Sequence, residues 1–166
     1  AVIDLSELDK IRDYPFEDTI APTEAIIYEC SVRDMTMHPF TGTTTHGKFK
    51  SLCEDGTEYR GLPTGLNYIK SLGVTHVQFM PLTDFSTVDD FKPELNYNWG
   101  YDPRQYLSLK GSFSSDPDHP YVRMKEFKEL VSCLHRNHLR VTLDVVFNHV
   151  YDVAESAFDC LVPYYY

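Results

Sequence analysis

The 166-residue chain is 42% hydrophobic and 14% aromatic, enough apolar material for a core and too much for a disordered segment. Its 15 basic and 25 acidic side chains leave a net charge of −10, which excludes nucleic acid as the expected partner, because nothing would neutralise a run of phosphates. No apolar run reaches the length of a membrane span, and neutral ligands fit the charge balance best.

The opening stretch "AVIDLSELDKIRDYPFED" is acidic where a signal peptide would be basic and then apolar. The chain begins at Ala1 without a methionine, so we expect it to have been cut from a longer precursor. Residues 1–24 mix charges with Pro15 and Pro22 and show no period, which reads as a linker or N-terminal arm packed on something else. A single domain over residues 25–166 is expected to follow.

"AIIYECSVRD", from Ala25, is a β-branched and apolar run suited to a buried strand. After a loop rich in Thr, Gly and His, Leu62, Leu66, Ile69 and Leu72 recur at helical spacing, and Gly73 is placed to end that helix. "VTHVQFMPL" is a second buried-strand candidate, closed by Pro81. A non-periodic segment from about Thr83 to Pro120 comes next. Met124, Phe127, Leu130, Val131 and Leu134 then mark one face of a helix that stops near Asn137, and "LRVTLDVVFNHV" is the third strand. Strands alternating with helices, with near-continuous apolar strands, predict an α/β fold of parallel βαβ units covered on both faces.

Cys30, Cys53, Cys133 and Cys160 are widely spaced, without CxxC and without a His placed to complete a zinc site. They read as free thiols, which tilts the expected setting towards a reducing compartment.

The long segment is the first pointer to function, because structureless stretches of that length inside a compact domain usually carry it. In parallel α/β folds, ligands bind at the carboxyl ends of the strands. The loop after the second strand and the residues ending the third, Asp144, Asn148 and His149, are therefore expected to converge. Asp144 lies in an apolar run, where an ionised carboxylate needs a cation or several donors, so it is either half of a structural ion pair or a site residue. His149 is either a satisfied structural histidine or a ligand contact. Tyr97, Trp99 and Tyr101 could fold back onto the core, yet they alternate with Asn98, Gly100 and Asp102. Flat apolar rings beside hydrogen-bonding groups suit a carbohydrate. HExxH spacing and an EF-hand loop are both missing, so zinc and strong calcium sites are not expected. Asn148 could still contribute an oxygen to a calcium site built elsewhere.

With these residues in view, the chain resembles the α-amylase superfamily, glycoside hydrolase family 13. "DVVFNH", Asp144 to His149, is similar to the superfamily's first signature region at the end of barrel strand three, and "IIYECSVRDMT" is similar to its first strand. "YNWGYDP", Tyr97 to Pro103, resembles the signature of type I pullulanases. The resemblance runs from about Ala25 to the C-terminus and implies the first three strands of a (β/α)8 barrel.

It further implies that Tyr101 stacks on the sugar preceding the cleaved bond, that His149 bonds a hydroxyl of that sugar, and that Asp144 supports an active-site arginine. Trp99 and Asn98 would shape the neighbouring wall, and Asn148 matches a position that helps bind calcium in many α-amylases. The implied reaction is retaining hydrolysis of α-1,6 linkages in pullulan and branched dextrins, with no cofactor beyond possible calcium. Such a mechanism needs two carboxyl groups about 5 Å apart. The resemblance puts the nucleophile and acid/base at later strands, past Tyr166, and a barrel takes about 250 residues. Only Asp144, Asp152 and Glu155 offer carboxylates nearby. The expectation is therefore an inactive N-terminal piece whose open sheet edge needs the remainder of the barrel or a complementary chain. The alternatives are a non-catalytic carbohydrate-binding or assembly fragment, or another hydrolase of the superfamily such as isoamylase or neopullulanase. A cytoplasmic setting is favoured over a secreted or cell-surface one.

Overall fold

The computed structural model describes residues 3–166. In chain order the elements are β1 (Ile27–Cys30), α1 (Val32–Thr36), β2 (Glu58–Tyr59), β3 (Leu62–Pro63), α2 (Gly65–Ser71), β4 (His76–Phe79), β5 (Thr83–Phe85), β6 (Pro103–Leu109), α3 (Pro120–Arg136), β7 (Arg140–Leu143) and α4 (Ala157–Leu161). The three predicted apolar strands form one parallel sheet in the sequential order β1-β4-β7, with helices on the connections. This is the α/β architecture of the first three strands of a (β/α)8 barrel.

Register decides which side chains share a face. Tyr28, Val77 and Val141 are aligned, as are Cys30, Phe79 and Leu143. On that face Val77 and Phe79 are fully buried against Leu66 and Ile69 of α2 and Leu130 and Leu134 of α3. Each such side chain contributes roughly 1.5–3 kcal/mol of burial. The opposite face carries the aligned polar trio Glu29, Gln78 and Thr142, and Gln78 Nε2 donates to Glu29 Oε1 at 3.0 Å.

The sheet is not covered on both faces as the apolar runs predict, since Ile27 on the polar-trio side is 54% exposed. Isolated strand composition cannot tell a covered face from one that is merely apolar. Each predicted strand is also longer than the observed one. "AIIYECSVRD" ends as a strand at Cys30, because Ser31 Oγ accepts from Asp34 N at 3.3 Å and caps α1. "LRVTLDVVFNHV" ends at Leu143, so Asp144 lies just past the strand, half-buried, with its N–H still donating to Phe79 O at 2.9 Å.

The helix predictions hold with one trimmed end. Leu62 belongs to the β2–β3 hairpin and is exposed, so α2 starts at Gly65; Gly73 follows its C-cap at φ +68°. α3 runs to Arg136 with Asn137 as C-cap. The segment 83–120 is not structureless: β5 and β6 pair antiparallel inside it. Phe85 and Phe113 from this segment join Phe49 and Phe127 in a run of ring contacts 5.5–6.0 Å between centroids. Alternation of large and small residues is too irregular there, with bulged register between β5 and β6, for a period to show in the sequence.

Residues 12–18 lie along α3 and the start of β7. Ser132 Oγ donates to Arg12 O at 2.5 Å, His135 Nδ1 meets Asp13 Oδ1 at 2.9 Å, and Arg140 Nη2 donates to Asp18 Oδ1 at 3.0 Å. All four cysteines are free, as their spacing predicts.

Candidate functional site

Two stretches meet at the carboxyl ends of β4 and β7, as the topology predicts. The first, 97–102, is held on the core by Gly100, whose φ of +97° is left-handed; a Cβ there would sit 3.0 Å from both Pro81 Cβ and Pro81 O. Only glycine lets the loop lie this close to the turn after β4. Asn98 locks the rest of the loop, its Nδ2 donating to Asp102 Oδ1 at 2.8 Å and Thr87 Oγ1 at 2.6 Å while its Oδ1 accepts from Gly100 N at 2.7 Å. Burial pushes the Asp102 carboxyl above the usual carboxylate range, against the hydrogen bonds from Asn98 and Thr87.

With the backbone pinned, the rings point away from the core. Tyr97, Trp99 and Tyr101 are all exposed, Trp99 at 61% and Tyr101 at 39%. The core-staple alternative therefore fails for these three rings; the residue that packs inward is Gly100. Tyr97, Asn98, Trp99, Tyr101 and Asp102 line a shallow depression of about 550 Å³.

The second stretch, 144–149, supplies the polar partners. Tyr101 Oη donates to Asp144 Oδ2 at 2.6 Å, and His149 Nε2 donates to Tyr101 O at 2.9 Å. Tyr106 Oη in turn donates to His149 O at 3.0 Å, and Tyr151 N donates to Pro103 O at 2.8 Å, which ties the segment after β7 to β6. The Asp144 carboxylate, with burial adding, pushes the Tyr101 phenol up to about 12. Asp144 thus meets the Tyr101 phenol here.

Asp34, at the end of the first strand's run, is a site neighbour that spacing alone did not mark. Tyr97 Oη donates to its Oδ2 at 2.5 Å, and the Arg33 guanidinium lies over the Tyr97 ring at 5.1 Å. Lys110 is a second omission: it is 2% exposed and its Nζ reaches Asp90 Oδ1 at 3.0 Å, Asp84 Oδ1 at 3.5 Å, and donates to Phe85 O and Val88 O at 2.9 Å. A lone lysine in "SLKGS" gives no signal of burial; its partners lie twenty or more positions away, so only the fold assembles them. Asn148 is exposed, and among the described residues no group of three or more His, Cys, Asp or Glu side chains could hold a metal ion.

No helix among the described residues is long and apolar enough to cross a membrane. The family profile of the alpha amylase catalytic domain matches residues 30–159. The pullulanase of Bacillus subtilis (strain 168) is 43% identical over 153 residues, which is 92% of this chain and 21% of that protein. Pullulanase from Anoxybacillus sp. LM18-11, in a crystal structure complexed with maltotetraose, superposes with a TM-score of 0.94 at 46% identity, covering 99% of this chain and 24% of that one. Pullulanase from Paenibacillus barengoltzii, complexed with maltohexaose and α-cyclodextrin, gives 0.90 at 44% identity, covering 100% and 27%. The chain therefore spans about a fifth to a quarter of the length of these relatives. With the parallel strands in barrel order and the matched residues covering both of its strand-end loops, the chain belongs to the α-amylase catalytic-domain family.

Proposed function

We propose that this chain forms part of the glucan-holding wall of a starch-debranching glycoside hydrolase, acting on α-1,6 linkages of pullulan and branched dextrins by a retaining mechanism. The observation that carries the reading is the link Asp144–Tyr101–His149 beside exposed Trp99. An aromatic face fixed by its own hydroxyl and carbonyl offers a rigid platform for the C–H face of a glucose ring, with little left to order on binding. His149 spends Nε2 on Tyr101 and keeps Nδ1 for a sugar hydroxyl. Similar pullulanases crystallise with maltooligosaccharides, which supports a glucan as the ligand class.

In this reading the chain binds and orients, while the nucleophile and the acid/base come from other strands of the barrel. A chimera tests it. Replacing the matching segment of the Bacillus subtilis pullulanase by residues 25–166 should give an enzyme that releases maltotriose from pullulan. Tyr101→Ala in that chimera should then lower kcat/KM at least tenfold, about 1.4 kcal/mol of transition-state binding. A folded chimera that makes no maltotriose, or a Tyr101→Ala variant with unaltered kinetics, would remove the assignment.

A further inference from the structure

On the core side of the loop that carries Trp99 lies a second cavity, of about 300 Å³, at the small end of the roughly 300–1,000 Å³ that ligand pockets span. It sits between the end of β1, the turn after β4 and residues from the segments 46–48 and 85–99. Met37, Met80, Phe85 and Phe113 give it an apolar lining. An apolar hole of about 150 Å³ already takes benzene, so a phenyl-sized body fits here with room for a short polar end. Asn98 and Trp99 border both this cavity and the shallow depression in which Tyr97 and Tyr101 stand.

Two cations stand in the wall, and the protein leaves each with a donor to spare. Lys48 is half-buried, and its Nζ donates to Ser112 O at 2.7 Å, which leaves the other ammonium protons for a further acceptor. The carboxylates nearest to it in charge are engaged elsewhere or solvated. Glu126 accepts from Ser115 N at 2.9 Å, Asp90 pairs with Lys110 at 3.0 Å, and Glu94, the one carboxylate lining the cavity, is exposed. Burial accordingly pulls the Lys48 ammonium below the usual lysine range, with Glu126, Asp90 and Glu94 offsetting only part of it. Arg33 is the second cation. Its Nη1 pairs with Asp34 Oδ1 at 3.1 Å, while its Nε is buried and, among the described residues, has no hydrogen-bond partner. Gly47, at φ +65°, keeps the Arg33 stem packed: a Cβ there would stand 3.4 Å from Arg33 Cγ and 3.1 Å from Met37 Sδ.

We propose that this cavity binds a small organic carboxylate with a compact apolar body, its oxygens taken by Lys48 and Arg33 and its body by Met37, Met80, Phe85 and Phe113. An inorganic anion would leave the apolar lining unfilled, and a neutral hydrocarbon would bury two cationic side chains without an acceptor. An acid that carries a ring answers both requirements. The site stands apart from the glucan-binding reading, which uses neither of these cations and a different class of ligand.

The test titrates the 166-residue chain with phenylacetate, phenylacetamide and acetate. It follows the fluorescence of Trp99, the only tryptophan, and the methyl resonances of the four methionines. Phenylacetate should half-saturate at about 1 mM or below, changing the fluorescence and shifting the Met37 and Met80 methyls. Met124, which lines a separate apolar cleft with Leu8 and Val131, should stay unmoved. Phenylacetamide has the same body without the charge, acetate the same head without the ring, and each should bind at least tenfold more weakly. Lys48→Met, with its fold checked by circular dichroism, should bind phenylacetate about tenfold more weakly and phenylacetamide unchanged. The comparison of acid with amide on the unsubstituted chain decides the question even where that variant fails to fold. Equal affinity for the two, methyl shifts confined to Met124, or no saturable response to phenylacetate overturns the proposal.

Discussion

Tyr101 is the residue on which the site turns, because it is held at both ends: its hydroxyl on Asp144 and its carbonyl on His149. The hydrogen bond to a carboxylate favours the neutral phenol, so its ionisation is delayed from the ordinary tyrosine value to about 12. The sign follows from linkage: the contribution is fully present below pH 10, where the phenol is neutral in both states, and is lost as pH rises through about 12. A difference ultraviolet titration of the chain against Tyr101→Phe should therefore show the missing tyrosine ionising near 12. One that ionises with the exposed tyrosines would remove the Asp144 bond. Gly100 is the complementary case, where the side chain that matters is the absent one. Gly100→Ala would add a Cβ 3.0 Å from Pro81 at φ +97°, and it should cost about 1–3 kcal/mol, read as a lower urea midpoint. Both residues stand in the stretch "YNWGYDP", and their type was informative in the sequence; the partner of each was not, because Pro81 and Asp144 lie in other elements.

Among the elements, the β5–β6 pair does most to turn a long connection into a platform. Lys110, just past β6, gathers Asp84, Asp90 and two carbonyls of the β5 side around one buried ammonium, with the Phe85 ring 4.9 Å from it. Removing one partner of a buried charge cluster leaves the others desolvated and unpaired, so Lys110→Met should destabilise the chain by about 3–5 kcal/mol. Thermal unfolding followed by circular dichroism checks this, and an unchanged midpoint would show that the cluster is dispensable. The helices and the three parallel strands were legible in the sequence because burial repeats along them with a fixed period. Leu66 and Ile69 on α2, and Leu130 and Leu134 on α3, fall where the spacing predicts and are fully buried. The β5–β6 pair was not legible, since its bulged register and its charged anchor leave no period to read.

At the scale of the whole molecule, the sheet ends on two outer strands, β1 and β7, and keeps one face polar. Unpaired strand edges recruit further strands, which predicts concentration-dependent association of the 166-residue chain by itself. Sedimentation velocity over a wide concentration range should show it, and a strictly monomeric chain would mean that the edges are protected. The same sheet sets the direction of the site, since parallel strands deliver both loops to one end.

The amino-acid sequence by itself determined the α/β class, the order of strands and helices, the four free thiols and the family, because these depend on local period, on spacing and on short motifs. It also marked Trp99, Tyr101, Asp144 and His149 as candidates. Only the tertiary structure decided that Asp144 lies beyond the strand and accepts from Tyr101, that the rings stay exposed while Gly100 packs inward, and that Lys110 has partners at all. The physical reason is separation along the chain. A contact between residues one helical turn or one strand step apart leaves a pattern in the sequence, whereas a hydrogen bond between distant loops is fixed only when packing brings their elements together.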